Sequence, residues 1–223
     1  MITMTTTERL LEATEELWAE YNAHPFVKGI ADGSLDKEKF KYYMIQDYRY
    51  LIDYTKVFAV GAAKADDLEA MRLFAGYTHA ILNGEMSIHK AYMKRLDITE
   101  EEAEHTPSAL DNISYTSYML RIAYEEGPAE VAAAILSCAL SYEVIAKKIV
   151  EENPGALTHP FYGEWVSGYA AKEYHDQNVI LIDLMNRLSE GYSEKKLAHL
   201  TEIFTVCSRY EMAFWDMAWE MRR

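Results

Sequence analysis

The sequence predicts an all-α fold, and three of its features support that class. Only 10 glycines and 5 prolines occur among 223 residues, which favours long helices over the many turns of a β-sandwich or barrel. Apolar residues recur three and four positions apart over long stretches, as they do on one face of a helix. Sustained alternation of apolar and polar residues is missing, so a sheet is not expected.

Caps and breakers divide the chain into about seven predicted helices. They cover residues 5–21, 36–65, 67–97, 113–126, 128–153, 160–191 and 193–221, with Asp36, Asp66 or Asp67, and Ser193 as N-caps. The acidic segment 99–112 is predicted to be the main loop. Because no stretch rich in Pro, Gly or Ser is long enough to link two domains, we expect one helical-bundle domain over residues 1–223.

Composition also restricts the partners and the compartment. The formal net charge of −14 is spread along the chain and disfavours nucleic acid and anionic membranes as partners. The first ten residues show no basic region followed by an apolar run, and no stretch approaches the roughly 18 apolar residues of a membrane span. Cys138 and Cys207 are too few for a disulfide framework and lack metal spacing. We therefore expect a cytoplasmic protein with reduced thiols.

Three predicted helices each carry a reactive side chain inside an apolar stripe with 3,4 spacing. The stripes are Phe40, Tyr43, Asp47, Tyr50, Tyr54 and Val57; Val131, Ile135, Cys138, Tyr142, Ile145 and Ile149; and Leu200, Phe204, Cys207, Glu211, Phe214 and Ala218. This spacing predicts that Asp47, Cys138 and Glu211 point inward. Burying a carboxylate without a partner costs several kcal/mol, so two inward acids and a thiol indicate a polar pocket.

Either cysteine could be a nucleophile on spacing alone. Cys138 has Tyr142 one turn away, whereas Cys207 has Glu211 one turn away. A neighbouring carboxylate disfavours the thiolate of Cys207. Glu211 is followed by Phe214 and two tryptophans, an apolar setting that suits a general acid or base. The alternatives are a small core cysteine and a glutamate paired with Arg209 or another basic residue.

Tyrosines form a second candidate group. Five of the 17 lie at predicted core-facing positions, namely Tyr43, Tyr50, Tyr115, Tyr142 and Tyr169. A buried phenol needs a hydrogen-bond partner, so these hydroxyls could orient a thiol, a water molecule or a ring nitrogen. The alternative is an ordinary aromatic core with its hydroxyls at the rim.

Metal and phosphate motifs are weak or missing. The one Glu-x-x-His, Glu102 to His105, lies in the predicted loop, and a di-iron site needs a second such motif. His-Glu-x-x-His and a phosphate-binding glycine loop are missing as well. His175-Asp176 is interpreted as helix surface. No metal site is predicted.

Five segments carry a family resemblance. They are AHPFVKGI at 23–30, FKYYMIQD at 40–47, SYTS at 114–117, Cys138 with YEV at 142–144, and YE at 210–211 with FWDMA at 214–218. Together, in order from about residue 9 to residue 221, they resemble the TenA/thiaminase II family. The resemblance implies an all-helical, haem-oxygenase-like fold without haem, usually a homotetramer, that acts on 4-amino-2-methylpyrimidines.

The resemblance also implies residue roles. Cys138 would be the nucleophile and Glu211 the proton donor, and Tyr50 and Tyr115 would activate the thiol. The substrate-binding residues would be Asp47, Tyr142, Tyr169 and Phe214. Such enzymes hydrolyse 4-amino-5-aminomethyl-2-methylpyrimidine to the hydroxymethylpyrimidine and ammonia in thiamin salvage, and can cleave thiamin to the hydroxymethylpyrimidine and thiazole, with no metal or organic cofactor.

One departure from the family and two alternatives stay open at this point. Ala139 and Leu140 follow Cys138 where some members carry large aromatics, which would change the width of the pocket and hence the substrate. A noncatalytic pyrimidine-binding or regulatory protein on the same fold is the first alternative. The second, a metal-dependent oxidase of haem-oxygenase-like fold, is disfavoured by the missing ligand set.

Overall fold

The computed structural model describes residues 4–223, apart from the side chains of Ser87 and Ile88. Its regular structure is helical throughout this part of the chain, so the predicted all-α class is confirmed. The α-helices are α1 (Thr6–Glu12), α2 (Glu15–Ala23), α3 (Pro25–Asp32), α4 (Lys37–Lys64), α5 (Leu68–Ala80), α6 (Met86–Arg95), α7 (Glu100–His105), α8 (Leu110–Glu125), α9 (Pro128–Glu152), α10 (Gly163–Tyr169), α11 (Lys172–Leu188) and α12 (Glu194–Glu220).

The three longest helices, α4, α9 and α12, begin and end within two residues of their predicted limits. Predicted caps also hold at other helices. Asp67 accepts a hydrogen bond from the Ala70 amide at 2.8 Å and caps α5. These limits are set by local side-chain chemistry, which is visible in the sequence.

Three predicted helices prove to be interrupted. The helix predicted for 5–21 is α1 and α2, separated at Thr14, whose hydroxyl donates to the Leu10 and Leu11 carbonyls. A π-helical turn, Ile81–Glu85, separates α5 from α6. Extended backbone at Ala171 separates α10 from α11. The breaks at Thr14 and Ala171 have no Gly or Pro at the break itself, whereas the π-helical turn contains Gly84.

The predicted loop at 99–112 was also wrong in part, because it contains α7 and the start of α8. The Thr99 hydroxyl accepts from the Glu102 amide at 3.0 Å and caps α7. The first turn of that helix carries Glu100, Glu101 and Glu102. Their negative charges stabilise the helix because its N-terminal end is the positive end of the helix dipole. The acidic composition that was interpreted as loop therefore supports a short helix.

The described residues group into two compact units. Unit 1 comprises the residues up to Asp36 together with Ala132–Trp215, and unit 2 comprises Lys37–Val131 and Asp216–Arg223. In unit 2, α4 is the central helix and contacts α5, α6, α7 and α8. In unit 1, α1 and α10 contact α11, and α2 contacts α3. The single domain expected for 1–223 stays a prediction.

Helix α9 is the most apolar long helix. By length and composition it could cross a membrane, so the expectation that no stretch approaches a span was wrong for this helix. However, 83% of its most apolar 18-residue window is buried inside the protein. That degree of burial is typical of a core helix, and it places the residues around Cys138 in the interior of unit 1.

Candidate active site

The thiol of Cys138 lies on α9, within unit 1. The residue is 8% exposed, so it is buried but not sealed, whereas Cys207 on α12 is fully buried. Tyr142, one turn after Cys138, is also buried. The Ser141 hydroxyl donates to the Cys138 carbonyl at 3.1 Å, which fixes the backbone of the turn that carries the thiol.

A buried hydrogen-bond network joins α9 to α12. The hydroxyls of Ser137 and Ser208 lie 2.9 Å apart, and the Trp18 indole N–H donates to the Ser208 hydroxyl at 3.0 Å. The Tyr21 hydroxyl donates to the Ser208 carbonyl. Since Ser137 precedes Cys138, this network holds the predicted nucleophile at a fixed position against α12.

The pKa of the Tyr21 phenol is shifted by the groups around it. Its pKa is raised, first by burial and then by the negative charge of Glu211, with smaller contributions from Cys138 and Cys207. One phenol therefore lies within electrostatic range of both thiols and of Glu211. The helices that carry the predicted nucleophile Cys138 and the predicted proton donor Glu211 are joined directly by the Ser137–Ser208 contact of 2.9 Å. The sequence analysis did not single out Tyr21.

The two thiols differ in their ease of ionisation. Burial raises the pKa of Cys207 well above its usual range, and the nearby Glu211 carboxylate raises it further. The thiolate is the nucleophilic form, so Cys207 is poorly suited to attack a substrate. This agrees with the expectation from the Cys207–Glu211 spacing and leaves Cys138 as the better candidate.

Aromatic rings surround Tyr142 in unit 1. Its ring centroid lies 4.8 Å from that of Tyr169, 5.4 Å from that of Trp215 and 5.9 Å from that of Trp165. Phe214 is 2% exposed, and Tyr169 is only partly buried. Flat rings at these separations form a surface on which a planar heteroaromatic ring can stack. Tyr142, Tyr169 and Phe214, all predicted to bind substrate, thus belong to unit 1.

A polar cluster supports the backbone next to Cys138. The carbonyl of Ala139 accepts hydrogen bonds from the Tyr174 hydroxyl at 3.0 Å and the Asn178 amide at 3.1 Å. The same Asn178 amide donates to Glu143 Oε2 at 2.6 Å. The residue after Cys138 is therefore held by α11.

Glu143 is the centre of that cluster. Lys147 and His175 both donate to its Oε1, the latter at 2.6 Å. Burial opposes the charge of Glu143, but the hydrogen bonds from Lys147, Asn178 and His175 outweigh it and lower the pKa of the carboxyl group. His175, interpreted from the sequence as helix surface, is half exposed yet pairs with this buried carboxylate. The sequence analysis did not predict this role.

Asp47 lies in unit 2, on α4, and is 3% exposed. Its Oδ2 lies 2.6 Å from Nε2 of His89, a buried residue of α6, and His89 Nδ1 lies 3.1 Å from the Glu85 carbonyl oxygen. Burial opposes a charge on His89, but the hydrogen bond and the charge of Asp47 outweigh it and raise the imidazole pKa. The partnership of His89 with Asp47 was not predicted from the sequence.

Tyr50 and Tyr115, predicted to activate the thiol, also lie in unit 2. Both are buried, with ring centroids 5.2 Å apart, and the Tyr50 hydroxyl lies 3.9 Å from the Met119 sulfur. Next to Asp47, the Gln46 side chain accepts from the Ala109 amide at 2.9 Å and from the Asn112 side chain at 3.2 Å. This contact fixes α4 against the start of α8.

The predicted site residues thus form two groups. Cys138, Tyr142, Tyr169, Glu211 and Phe214 belong to unit 1. The other group, Asp47, Tyr50 and Tyr115, belongs to unit 2. Among the described residues, no cluster of three His, Cys, Asp or Glu side chains has the geometry to hold a metal ion.

A surface groove in unit 1 is distinct from both groups. It has a volume of about 390 Å³ and is lined by Leu11, Glu12, Glu15, Trp18, Ala19, Asn22 and Val144. None of the predicted site residues lines it. The chemistry is therefore assigned from the reactive side chains and not from this groove.

Comparison with known proteins identifies the family. The model of the TENA/THI-4/PQQC family matches residues 11–221. A relative from Halalkalibacterium halodurans named aminopyrimidine aminohydrolase is 46% identical over 214 residues, which cover 96% of this chain and 95% of that protein. The solved structure of a TenA homologue protein from P. horikoshii OT3 is 33% identical, with a TM-score of 0.88 over 97% of this chain and 99% of that one.

The haem-oxygenase-like fold is confirmed by a more distant structure. A domain with a heme oxygenase-like fold from Shewanella denitrificans OS217 has a TM-score of 0.77 at 12% identity, over 96% of this chain and 91% of that one, and so shows the fold alone. The family match spans nearly the whole chain and includes each predicted site residue. This chain belongs to the TENA/THI-4/PQQC family.

Proposed function

We propose that the chain is a hydrolase of thiamin salvage that converts 4-amino-5-aminomethyl-2-methylpyrimidine and water to the hydroxymethylpyrimidine and ammonia. The observation that carries this proposal is the buried Ser137–Ser208 contact of 2.9 Å, which holds the helix of Cys138, a thiol nucleophile, against the helix of Glu211, a proton donor. The activity named for the relative from H. halodurans, at 46% identity, supports the same reaction.

The first step is attack of the Cys138 sulfur on the aminopyrimidine ring. An aminopyrimidine is amidine-like, so the Asp47 carboxyl group can hold its amino group and a ring nitrogen. The S–C bond forms while the electron pair of a ring C=N bond moves to the ring nitrogen, which takes up a proton. Tyr50 and Tyr115 are proposed to activate the thiol, and Tyr142, Tyr169 and Phe214 to contact the ring.

The second step is departure of the amine. The electron pair on the ring nitrogen moves through the conjugated bonds of the ring, forms a double bond to the exocyclic carbon and expels the amine, and Glu211 supplies the proton that lets it leave as ammonia. Water then adds to the exocyclic carbon and returns a proton to Glu211. Reversal of the thiol addition releases the hydroxymethylpyrimidine and restores Cys138.

Thiamin is the proposed second substrate. It carries the same pyrimidine and methylene, and its thiazole leaves as a neutral molecule, so the same thiol addition would cleave it. Ala139 and Leu140 are proposed to decide between the substrates through the space they leave beside Cys138. Both are buried.

The test is steady-state kinetics of the wild-type protein with both pyrimidines. Saturable turnover of the aminomethylpyrimidine to ammonia and the alcohol is the expected result. Negligible turnover of both substrates combined with tight binding of either would overturn the proposal in favour of a noncatalytic pyrimidine-binding protein.

The assembly proposed for this chain is a homotetramer. Large apolar side chains are exposed on the surface of unit 2, among them Leu68, Leu110, Ile113 and Tyr124, of which Leu110 is 70% exposed. Exposed apolar side chains of this size are typical of subunit interfaces. Light scattering is expected to give about four times the 25.7 kDa of one chain, and a monomer at micromolar concentration would contradict it.

The compartment proposed is the cytoplasm. Both cysteines are buried as thiols and not joined in a disulfide. The helix with the composition of a membrane span, α9, is mostly buried in the protein. Fractionation of cells that produce the chain tests this proposal, and recovery with the membranes or outside the cell would contradict it.

A further inference from the structure

His89, the buried partner of Asp47, has no role in the proposed function. Both residues are 3% exposed, and the 2.6 Å between Oδ2 and Nε2 is a short, charge-assisted distance. The two side chains come from α4 and α6, so the contact joins two helices of unit 2. Within the described part of the chain, it is the only side-chain hydrogen bond of Asp47.

The second ring nitrogen fixes where the protons are. His89 Nδ1 lies 3.1 Å from the Glu85 carbonyl oxygen, which can only accept a hydrogen bond, so Nδ1 carries a proton. The short contact between Nε2 and Asp47 then requires a second proton, shared between the imidazole and the carboxyl group. The raised pKa of His89 favours imidazolium and carboxylate as the resting state.

We infer that His89 is a positioning residue that acts through Asp47: it orients the carboxyl group toward the aminopyrimidine and holds the proton that the ring nitrogen takes up when the thiol adds. This inference rests on the proposed function. Cys138 attacks as the thiolate, so the proton balance of the addition is complete within the pair. As the S–C bond forms, Asp47 gives a proton to the ring nitrogen and His89 Nε2 gives one to Asp47. When the thiol addition reverses, both protons return.

Two substitutions at His89 separate orientation from proton supply. A glutamine amide can reach Asp47 from the position of Nε2, but it has no proton to give. An asparagine amide is too short for Asp47 and matches only the position of Nδ1. His89→Gln is therefore expected to lower kcat by about 10- to 100-fold with KM within about threefold. His89→Asn should also raise KM, by about tenfold.

His105→Gln is the matched control. His105 is in the same unit, and its Nδ1 contacts the carbonyl of the residue four positions earlier at 2.8 Å, as that of His89 does, but it is exposed. Its kinetics should equal those of the wild type. A purely structural role for His89 would lower stability and the amount of active enzyme without the difference in KM between the Gln and Asn variants.

A double-mutant cycle tests whether His89 acts through Asp47. In the Asp47→Asn background, the added His89→Gln change should lower kcat/KM by less than about threefold. The reason is that Asp47→Asn has already removed the proton transfer from His89 through Asp47 to the ring. Two outcomes would overturn the inference while leaving the proposed function intact. One is a double variant whose loss in kcat/KM equals the product of the losses of the two single variants, and the other is a His89→Gln variant with wild-type kcat. A wild-type protein that neither binds nor hydrolyses the aminomethylpyrimidine would overturn both.

A spectroscopic measurement covers the case in which the His89 variants do not fold. In the wild-type protein with labelled histidines, one imidazole N–H resonance should be shifted far downfield by the short bond to a carboxylate, and it should vanish in Asp47→Asn. A folded wild-type protein without that resonance would overturn the inference.

Discussion

The two units hold their buried carboxylates in different ways. In unit 1, Glu143 accepts hydrogen bonds on both oxygens, from Lys147, His175 and Asn178. In unit 2, Asp47 has one partner, the buried His89, on Oδ2. Lys147 and His175 are about half exposed, whereas His89 is enclosed. Both oxygens of Glu143 therefore accept hydrogen bonds from the protein. Among the described residues, only Oδ2 of Asp47 does so, which leaves Oδ1 for the proposed ligand.

The difference in hydrogen bonding suggests a structural role for Glu143 and a chemical role for Asp47. Asn178 donates to Glu143 and to the Ala139 carbonyl beside Cys138, so the carboxylate of unit 1 supports the helix that carries the proposed nucleophile. Asp47 is also tied to a helical backbone, through His89 and the Glu85 carbonyl, but by a single contact on Oδ2. The proposed division of roles is therefore that unit 1 supplies Glu143 for structure and the Cys138 thiol for chemistry, and that unit 2 supplies Asp47 for binding. The predictions below test that division.

The largest expected effect is in unit 1. Cys138→Ser should lower kcat by about 100-fold or more, because a serine hydroxyl is far less ionised and less nucleophilic than a thiol. Cys207→Ser is the matched control and should stay near the wild type, since the raised pKa of Cys207 keeps that thiol protonated. Steady-state turnover of the aminomethylpyrimidine measures both, and a reversed outcome would reassign the nucleophile.

The next effect compares the carboxyl groups of the two units. Asp47→Asn should raise KM and lower kcat, about tenfold each, because Asp47 is proposed to bind the ring before and during the reaction. Glu211→Gln should chiefly lower kcat, by about 10- to 100-fold for the aminomethylpyrimidine and less for thiamin, whose thiazole leaves without protonation. Equal penalties on both substrates would show that Glu211 does something else, such as activating water.

The burial of the reactive side chains could be predicted from the sequence. The 3,4 spacing of the three stripes depends only on helix geometry, and Asp47, Cys138 and Glu211 are indeed 3%, 8% and 2% exposed. The ends of α4, α9 and α12 were also predictable, since caps and prolines act locally. Local rules therefore gave the long helices and the direction of their side chains.

The rest depends on contacts between helices. His89 is 42 residues from Asp47, and nothing in the spacing of either helix indicates which partner a buried histidine meets. Asn178 and Glu143 are a similar case, 35 residues apart. The break at Ala171 has no Gly or Pro at that position, so no local signal in the sequence marks it. Partner choice is a property of the folded core, which a single sequence does not encode locally.

A smaller effect tests the structural role of Glu143. The lowered pKa of Glu143 means that its contribution to stability is present above the unfolded value of about 4.5 and is lost as the pH falls through the folded value. At pH 7, Glu143→Gln should cost about 1–2 kcal/mol of unfolding free energy, which allows for the solvent around Lys147 and His175. In thermal melts from pH 7 to pH 3, the difference in melting temperature between the wild type and Glu143→Gln should shrink.

Glu151→Gln is the control for that series. Glu151 is on the same helix and pairs with Lys148 at 3.0 Å, but it is exposed and should leave the melting temperature unchanged at every pH. A Glu143→Gln gap that stays constant down to pH 3 would contradict the ionised-carboxylate explanation. A large rise in KM would place Glu143 in the binding site and break the division between the units.

The smallest effect concerns the second donor to Ala139. Tyr174→Phe removes the hydroxyl that donates to this carbonyl at 3.0 Å but keeps the ring contact with Tyr169, whose centroid is 5.1 Å away. Asn178 still donates, so the loss should be about 0.5–1 kcal/mol, or a few degrees in Tm, with KM unchanged. Tyr124→Phe, at an exposed position of α8, is the control. A Tyr174→Phe loss as large as that of Glu143→Gln would show that the hydroxyl, and not the carboxylate with Asn178, holds α9 beside Cys138.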